Sequence, residues 1–237
     1  MRILRGVFGG SALRIAVTTA IAAGLSLVPA KAATIYGEVN FSGSVNVSLT
    51  TIDFLPIGSG GFITLNEPST GYFAGLSDTP PDTSATIVDL GPGNPPPVSP
   101  FIHSFIGSGL PPALAGLVFN LHGITAPVGP LCSAGDPGIG NSCQLGVFNL
   151  LNAGPNNTSV TLLITGEWIN GADSGLATGR FTTQIGQSIN SIVSTIAGGG
   201  SITTSYSANI EAVPEPGTMG LLGLAFIAVG MTRKFRS

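Results

Sequence analysis

The sequence predicts an all-β body, an antiparallel sandwich or barrel with one short helix, between two apolar terminal segments. Short stretches of alternating apolar and polar residues recur along the chain, as is typical of half-buried strands. The 35 glycines and 18 prolines among 237 residues place turns between these stretches. Many short strands separated by turns favour an antiparallel sandwich or barrel. We therefore divide the chain into residues 1–32, 33–212 and 213–237.

The first segment has the organisation of a secretory signal peptide. A basic start is followed by an uncharged apolar stretch at 15–28 and by small residues at Ala30 and Ala32. A signal peptidase reads small side chains at such positions, so we expect signal peptidase to cleave after Ala32. An uncleaved membrane anchor is the alternative. The basic residues at the start are Arg2, Arg5 and Arg14.

The body opens with a clear period-2 pattern at residues 35–41, which predicts a half-buried strand. Threonine and serine occupy most of the outward positions of the predicted strands. The alternation resumes at 45–49 after a Ser-Gly break. Further predicted strands lie at 62–65, 86–90, 117–121, 147–151, 160–165, 180–184 and 202–210.

Five apolar side chains recur at helical spacing between residues 185 and 196, and glycines at 198–200 end the pattern. We predict one amphipathic helix of about three turns that covers one end of the β core. Because β-branched residues are mediocre helix formers, a strand stays open as the alternative. The apolar residues are Ile185, Ile189, Ile192, Val193 and Ile196.

Residues 78–100 hold seven prolines. Proline has no N–H to donate to a sheet, so a central strand is disfavoured there. We predict a long surface loop around one short strand.

The two cysteines, Cys132 and Cys143, are eleven residues apart in a loop rich in glycine and proline. Export into an oxidising compartment predicts a disulfide between them. A disulfide that closes a loop of this size stabilises the folded protein by roughly 3 kcal/mol, because it restricts the unfolded chain. A zinc site is disfavoured because no histidine or third cysteine lies nearby. We expect neither a metal nor a cofactor.

Charge is scarce and unevenly placed. Only 8% of the residues are charged, against about 25% in ordinary soluble domains. Residues 33–216 hold one basic residue, Arg180, and all eleven acidic residues, a net charge of −10. A body with this charge repels phosphate backbones, so we expect no nucleic-acid partner.

The residues needed for catalysis are also scarce. The two histidines are His103 and His122, and Ser104 follows the first of them. A catalytic triad would need an acidic partner, and no Gly-x-Ser-x-Gly elbow supports one. We therefore predict that the protein is not an enzyme.

Two sets of residues resemble binding sites but have plainer interpretations. Asp78, Asp82 and Asp89 fall in one loop and Asp136 in another, but no calcium-loop pattern appears, which favours solvated carboxylates. Trp168, the only tryptophan, is compatible with a sugar-stacking site, yet a lone tryptophan in a β domain is usually part of the core.

The C-terminal segment combines three parts in a fixed order. Val213-Pro214-Glu215-Pro216 is held extended by its prolines. An uncharged stretch at 217–232 follows, and its sixteen residues reach about 24 Å as a helix, a little short of a typical hydrocarbon core. A basic end would stay on the cytoplasmic side as a membrane stop. Its residues are Arg233, Lys234 and Arg236.

This order of parts resembles the PEP-CTERM sorting domain of exopolysaccharide-producing Gram-negative bacteria. The resemblance rests on Pro214-Glu215-Pro216, the Gly- and Leu-rich stretch and the basic end. It implies recognition of residues 213–216 by an exosortase, an integral-membrane protease for which this protein would be a substrate. A plain C-terminal membrane anchor is the alternative.

Three functions follow as hypotheses. The first is a non-enzymatic exported surface or matrix protein, transiently anchored in the inner membrane and associated with exopolysaccharide or biofilm. The second is a carbohydrate- or calcium-binding adhesin. The third is a secreted hydrolase, which the scarcity of Lys, Arg and His disfavours.

Overall fold

Eleven strands, one α-helix and two short 3₁₀ turns lie in the part of the chain that the structure describes. The computed structural model describes residues 35–56, 60–76, 83–107, 110–132 and 136–213. The strands are β1 (Gly37–Val47), β2 (Ile52–Phe54), β3 (Gly61–Asn66), β4 (Ser84–Ile87), β5 (Val98–Ile106), β6 (Val118–Thr125), β7 (Ser142–Leu145), β8 (Phe148–Gly154), β9 (Asn157–Asn170), β10 (Asp173–Ile185) and β11 (Ile202–Ala212). The helix α1 is Ile189–Ala197, and the 3₁₀ turns are Gly71–Phe73 and Pro112–Leu114.

Eight strands close into an antiparallel barrel. Around the ring the order is β1, β3, β4, β5, β6, β9, β10 and β11, and β11 pairs with β1 to close it. The closing pair runs from Gly37 opposite Ala212 to Val47 opposite Ile202. The other three strands extend the ring: β2 pairs with β1, β8 with the first half of β9, and β7 with β8.

Side-chain alternation decides which residues fill the barrel, because successive side chains of a strand point to opposite faces. In β3, Ile63 and Leu65 are buried while Phe62 and Thr64 are exposed. Serine and threonine cover much of the outer face, as the sequence pattern predicts. In β11 the buried residues are Ile202, Tyr206, Ala208, Ile210 and Ala212.

Aromatic side chains fill the barrel interior in two groups. Phe101 joins them, because its ring centroid lies 6.0 Å from that of Phe54 and 6.4 Å from that of Phe119. Edge-to-face and tilted contacts of this kind add to the free energy gained by burial. One group is Phe41, Phe54, Phe181 and Tyr206, and the other is Phe73, Phe105, Phe119 and Trp168.

The two ends of the barrel are covered differently. At the rim where Gly37 pairs with Ala212, the chain-end rim, the two 3₁₀ turns bury Phe73 and Leu114 in the core. The side-chain amide of Asn170 donates a hydrogen bond to one group in each turn. At the opposite rim, the distal end, the β7–β8 hairpin and α1 form a second apolar cluster of Cys143, Leu150, Ile189, Ile192, Ile196 and Ile202.

The structure settles the predicted choice of fold in favour of a barrel and one helix. The break predicted at residues 42–44 is absent, because β1 runs through Gly43. The ring of Tyr206, directly opposite in register, lies over Gly43 and occupies the space that a side chain there would need. The helix begins at Ile189 rather than at 185, because Ile185 ends β10 and Ser188 caps the helix.

The predicted loop at 78–100 is wrong at its end. Strand β5 begins at Val98 and lies inside the ring, between β4 and β6, although Pro100 is part of it. The register with β6 shifts between Val98 and Ile102, so the proline sits at an irregularity of the ladder, where prolines within sheets are commonly found. Sequence pattern also missed the short strands β2 and β7.

No helix within the described ranges is long and apolar enough to cross a bilayer. The predicted signal peptide with Ala30 and Ala32, and the tail from Pro214 onward, lie outside those ranges.

Glycine is required where barrel strands approach closely, and Gly166 of β9 provides a test. A Cβ there would overlap the Asn120 carbonyl oxygen and the Phe119 ring. We expect Gly166→Ala to lower the free energy of unfolding by roughly 1–3 kcal/mol, as overpacked cores do. The matched control is Gly123→Ala, where the nearest atom, Thr165 Oγ1, lies 3.8 Å from the added carbon. Equal urea midpoints for the two variants would contradict the prediction.

Candidate functional site

An apolar cavity of about 320 Å³ opens at the distal end of the barrel. Its walls come from the last residues of β1 and β10 and the first residues of β9 and β11, among them Val45, Ile185, Val160 and Ile202. Cavities of this size at barrel mouths are common places for small ligands.

The cavity separates the two apolar clusters of the molecule. Phe54, Phe181 and Tyr206 line it from the barrel core, while Ile192 and Ile196 of α1 line it from the second cluster. The helix and the β7–β8 hairpin therefore cover the barrel mouth without filling it.

The lining is electrically neutral. Among the described residues that form it, none is an Asp, Glu, Lys, Arg or His. Its hydroxyls largely satisfy one another: Ser48 Oγ lies 2.7 Å from Thr51 Oγ1, and Thr183 Oγ1 lies 2.8 Å from Thr204 Oγ1. A charged group placed inside would lose its hydration without gaining a counter-ion, which is strongly unfavourable.

Tyr206 is the exception to this hydrogen-bond satisfaction. Its side chain is 5% exposed, and its hydroxyl is buried without a hydrogen-bond partner in the described structure. Burial raises the pKa of the phenol well above its ordinary value of 10.0, because the phenolate would be desolvated. Tyr206 thus lines the cavity as a residue, while its neutral hydroxyl is enclosed over Gly43.

Polar contacts hold the cover of the cavity in place. Ser188 caps α1 by accepting a hydrogen bond from the backbone N–H of Ser191, at 3.3 Å. The Asp136 carboxylate accepts from the backbone N–H of Asn190 at 2.7 Å, where a negative charge also favours the helix N-terminus. The buried Thr158 hydroxyl donates to the Gln187 carbonyl at 2.8 Å.

The disulfide expected from the sequence is formed between Cys132 and Cys143, with Cα atoms 4.9 Å apart. Cys143 lies in β7 within the second cluster. The disulfide and the Asp136 contact together attach the 132–143 loop to the hairpin and the helix.

The histidines are not assembled into a catalytic triad in the described part of the chain. His103 Nδ1 lies 2.7 Å from Ser104 Oγ, and both side chains are on adjacent residues of β5. His122 is instead 4.0 Å from a carboxylate oxygen of Glu167. Ser104, at a φ of 55°, belongs to the irregular stretch of β5 rather than to a strand-to-helix elbow.

The acidic residues have structural contacts. Asp89 accepts a hydrogen bond from the backbone N–H of Phe54 at 2.7 Å. Desolvation, with the neighbouring Asp89 carboxylate adding to it, raises the pKa of Asp53 above its ordinary value. Within the described residues no three potential ligands form a metal-binding group, and Asp78 and Asp82 lie outside them.

Trp168 belongs to the core. It is 1% exposed, and its ring centroid lies 5.0 Å from that of Phe119 and 5.1 Å from that of Phe73. A buried ring offers no platform for a sugar, so the core interpretation is correct.

Sequence reasoning did not find the cavity. Its residues come from strand ends that are distant in sequence, and each reads locally as an ordinary core position. Even the Tyr206–Gly43 pair, an aromatic residue opposite a glycine, can be recognised only once the register of β1 with β11 is known.

The sequence-predicted sorting residues begin at the chain-end rim. Val213 is half-exposed, and its backbone N–H donates to the Leu176 carbonyl at 2.9 Å, one residue beyond β11. Its successors Pro214, Glu215 and Pro216, and the basic end Arg233, Lys234 and Arg236, lie outside the described residues.

Comparison with known proteins identifies one feature. Residues 212–234 match the family model described as the PEP-CTERM protein-sorting motif. The match starts at the last residue of β11 and covers the tripeptide, the apolar stretch and the first two basic residues of the end. Neither a curated protein nor a solved structure matches the chain significantly.

We predict that Tyr206→Phe raises the free energy of unfolding by about 1–3 kcal/mol, because it removes a buried hydroxyl without a partner. The variant should also lose less stability above pH 10. The raised pKa keeps the folded phenol protonated while the unfolded phenol ionises. The wild-type protein therefore loses stability as the pH rises above 10.0, the ordinary pKa of the phenol. Tyr36→Phe, at a tyrosine that is 55% exposed, is the control. Lower stability of Tyr206→Phe in urea titrations would contradict the prediction.

Loss of the disulfide should loosen the cover of the cavity. We expect the double variant Cys132→Ser with Cys143→Ser to lose roughly 3 kcal/mol of unfolding free energy, whereas Ser142→Ala on the same strand should lose little. A thiol assay on the denatured wild-type protein should detect no free thiol. Two thiols per chain would show that the disulfide does not form.

Proposed function

We propose that this protein, whose C-terminus carries a PEP-CTERM motif, is a non-enzymatic exported protein that an exosortase sorts to the cell surface. The observation that carries the proposal is the motif match at 212–234. The motif adjoins a closed barrel, because Val213 is still hydrogen-bonded to β10 and the Pro-Glu-Pro tripeptide comes next. A folded unit and a sorting signal are thus separate parts of the chain.

The N-terminal and C-terminal segments have different roles in export. A signal peptidase removes residues 1–32, and the stretch at 217–232 then anchors the chain transiently in the inner membrane. The basic end stays in the cytoplasm and keeps the tripeptide on the outer side, within reach of the exosortase. Cleavage near residues 213–216 releases the body to the surface or the extracellular matrix.

A structural role is supported by the chemistry of the body. The His103–Ser104 pair has no acidic partner among the described residues, and the neutral lining of the cavity offers no general base. The net charge of −10 on residues 33–216 disfavours anionic nucleic acid as a partner.

We also propose that the body associates with exopolysaccharide. A groove on the outer face of the barrel is lined mainly by hydroxyl side chains from several strands. Hydroxyls both donate and accept hydrogen bonds, as sugar hydroxyls do, so such a surface suits many weak contacts with a polysaccharide. The groove includes Ser42, Ser44, Ser205, Ser207, Thr64 and Thr182.

The sorting proposal predicts the chemical end of the mature protein. In producing cells, surface material should lack residues C-terminal to the motif, because the exosortase cleaves there. Replacement of Pro214, Glu215 and Pro216 by alanine should leave a membrane-bound protein that retains Ser237. Mass spectrometry of the mature C-terminus distinguishes the two. An intact Ser237 in wild-type surface material would leave only a simple membrane anchor.

The basic end supplies a second variant with a different expected failure. Replacement of Arg233, Lys234 and Arg236 by serine removes the charges that hold the tail in the membrane. We expect uncleaved protein outside the membrane, in contrast to the membrane-bound product of the tripeptide variant. The same location for both products would contradict separate roles for the two parts.

A further inference from the structure

The distal cavity has the properties of a binding site for a neutral, mostly apolar molecule. Its volume of about 320 Å³ lies in the range of small-molecule pockets. Water gains few hydrogen bonds in such a space, and an apolar cavity of this kind is poorly hydrated and open to apolar guests. Its described walls include strand ends and the helix α1.

Charge decides which apolar guests fit. No described residue of the lining is charged, and the one basic residue of the body, Arg180, is exposed and lies outside the lining. A carboxylate or phosphate would therefore be buried without a counter-ion. This excludes free fatty acids with the head group inside and favours alcohols, esters and ketones.

Tyr206 adds no polar partner for a guest, because its hydroxyl is enclosed over Gly43 although the residue lines the cavity. Other hydroxyls of the lining lie within hydrogen-bond distance of each other, Ser48 with Thr51 and Thr183 with Thr204. A guest of the cavity therefore gains free energy mainly from the burial of its apolar surface.

We propose that the distal cavity binds a neutral lipid-like molecule, whose apolar chain or ring system fills the space between the barrel core and α1. The cavity opens at the distal end, whereas the two described residues at the start of the motif, Ala212 and Val213, lie at the chain-end rim.

The experiment is a fluorescence titration with N-phenyl-1-naphthylamine, a neutral apolar dye, on the exported protein purified without detergent from producing cells. We expect saturable binding of one dye per chain. Addition of 1-decanol should displace the dye, and decanoate at about pH 8, where it is ionised, should compete at least about tenfold more weakly. Absence of saturable dye binding, or equal competition by the two, would overturn the proposal.

Two neighbouring residues of β9 give a matched pair of variants. Leu162 is 5% exposed and lines the cavity, whereas Leu163 is 37% exposed and lies on the outer face. Leu162→Trp should reduce dye affinity by about tenfold or more by filling the space, and Leu163→Trp should leave it unchanged. Equal affinities in the two variants would place the dye elsewhere and contradict the site.

A second variant covers the case in which Leu162→Trp does not fold, as judged by circular dichroism. Val160→Phe then fills the cavity from a position that is only partly buried, and it should reduce dye affinity in the same way. Unchanged dye affinity in a folded Val160→Phe variant would overturn the proposal.

Discussion

The pairing of β1 with β11 is the interaction on which the rest of the structure depends. It joins the first and last strands of the body over their full lengths and converts a row of hairpins into a closed barrel. Without it, both strands would expose unpaired N–H and C=O groups, the usual route to edge-to-edge aggregation. Gly43 and Tyr206 face each other in this pair, so a larger side chain at position 43 would meet the Tyr206 ring at the closure itself.

Local sequence patterns predicted much of the fold. The alternation at 35–41 and 202–210 correctly indicated strands, and the isoleucine spacing correctly indicated the helix, because burial on one face imposes those periods. Sequence patterns failed at two places, where the local structure departs from regular strand or helix geometry. Strand β5 was not predicted because it contains Pro100, which a register shift accommodates. The start of the helix was placed too early because the apolar spacing continues past the N-cap at Ser188.

The sorting motif could be predicted from the sequence, whereas the cavity could not. The sorting motif is contiguous, so its residues could be recognised from their order alone, and the match at 212–234 agrees. The cavity is assembled from strand ends up to about 160 residues apart, such as Val45 and Thr204, and only the register of the closed barrel brings them together. The burial of Trp168, by contrast, agrees with the core interpretation that the sequence favoured.

The register at which the barrel closes also gives the molecule a direction. Because Gly37 lies opposite Ala212, the described chain enters and leaves at one rim, while Val47 and Ile202 mark the other. A partner fused directly after Val213 would therefore join the barrel at the rim opposite the cavity. A tag fused directly before Ile35, whose backbone is hydrogen-bonded to Ser174, would join the same rim and leave the cavity mouth unobstructed.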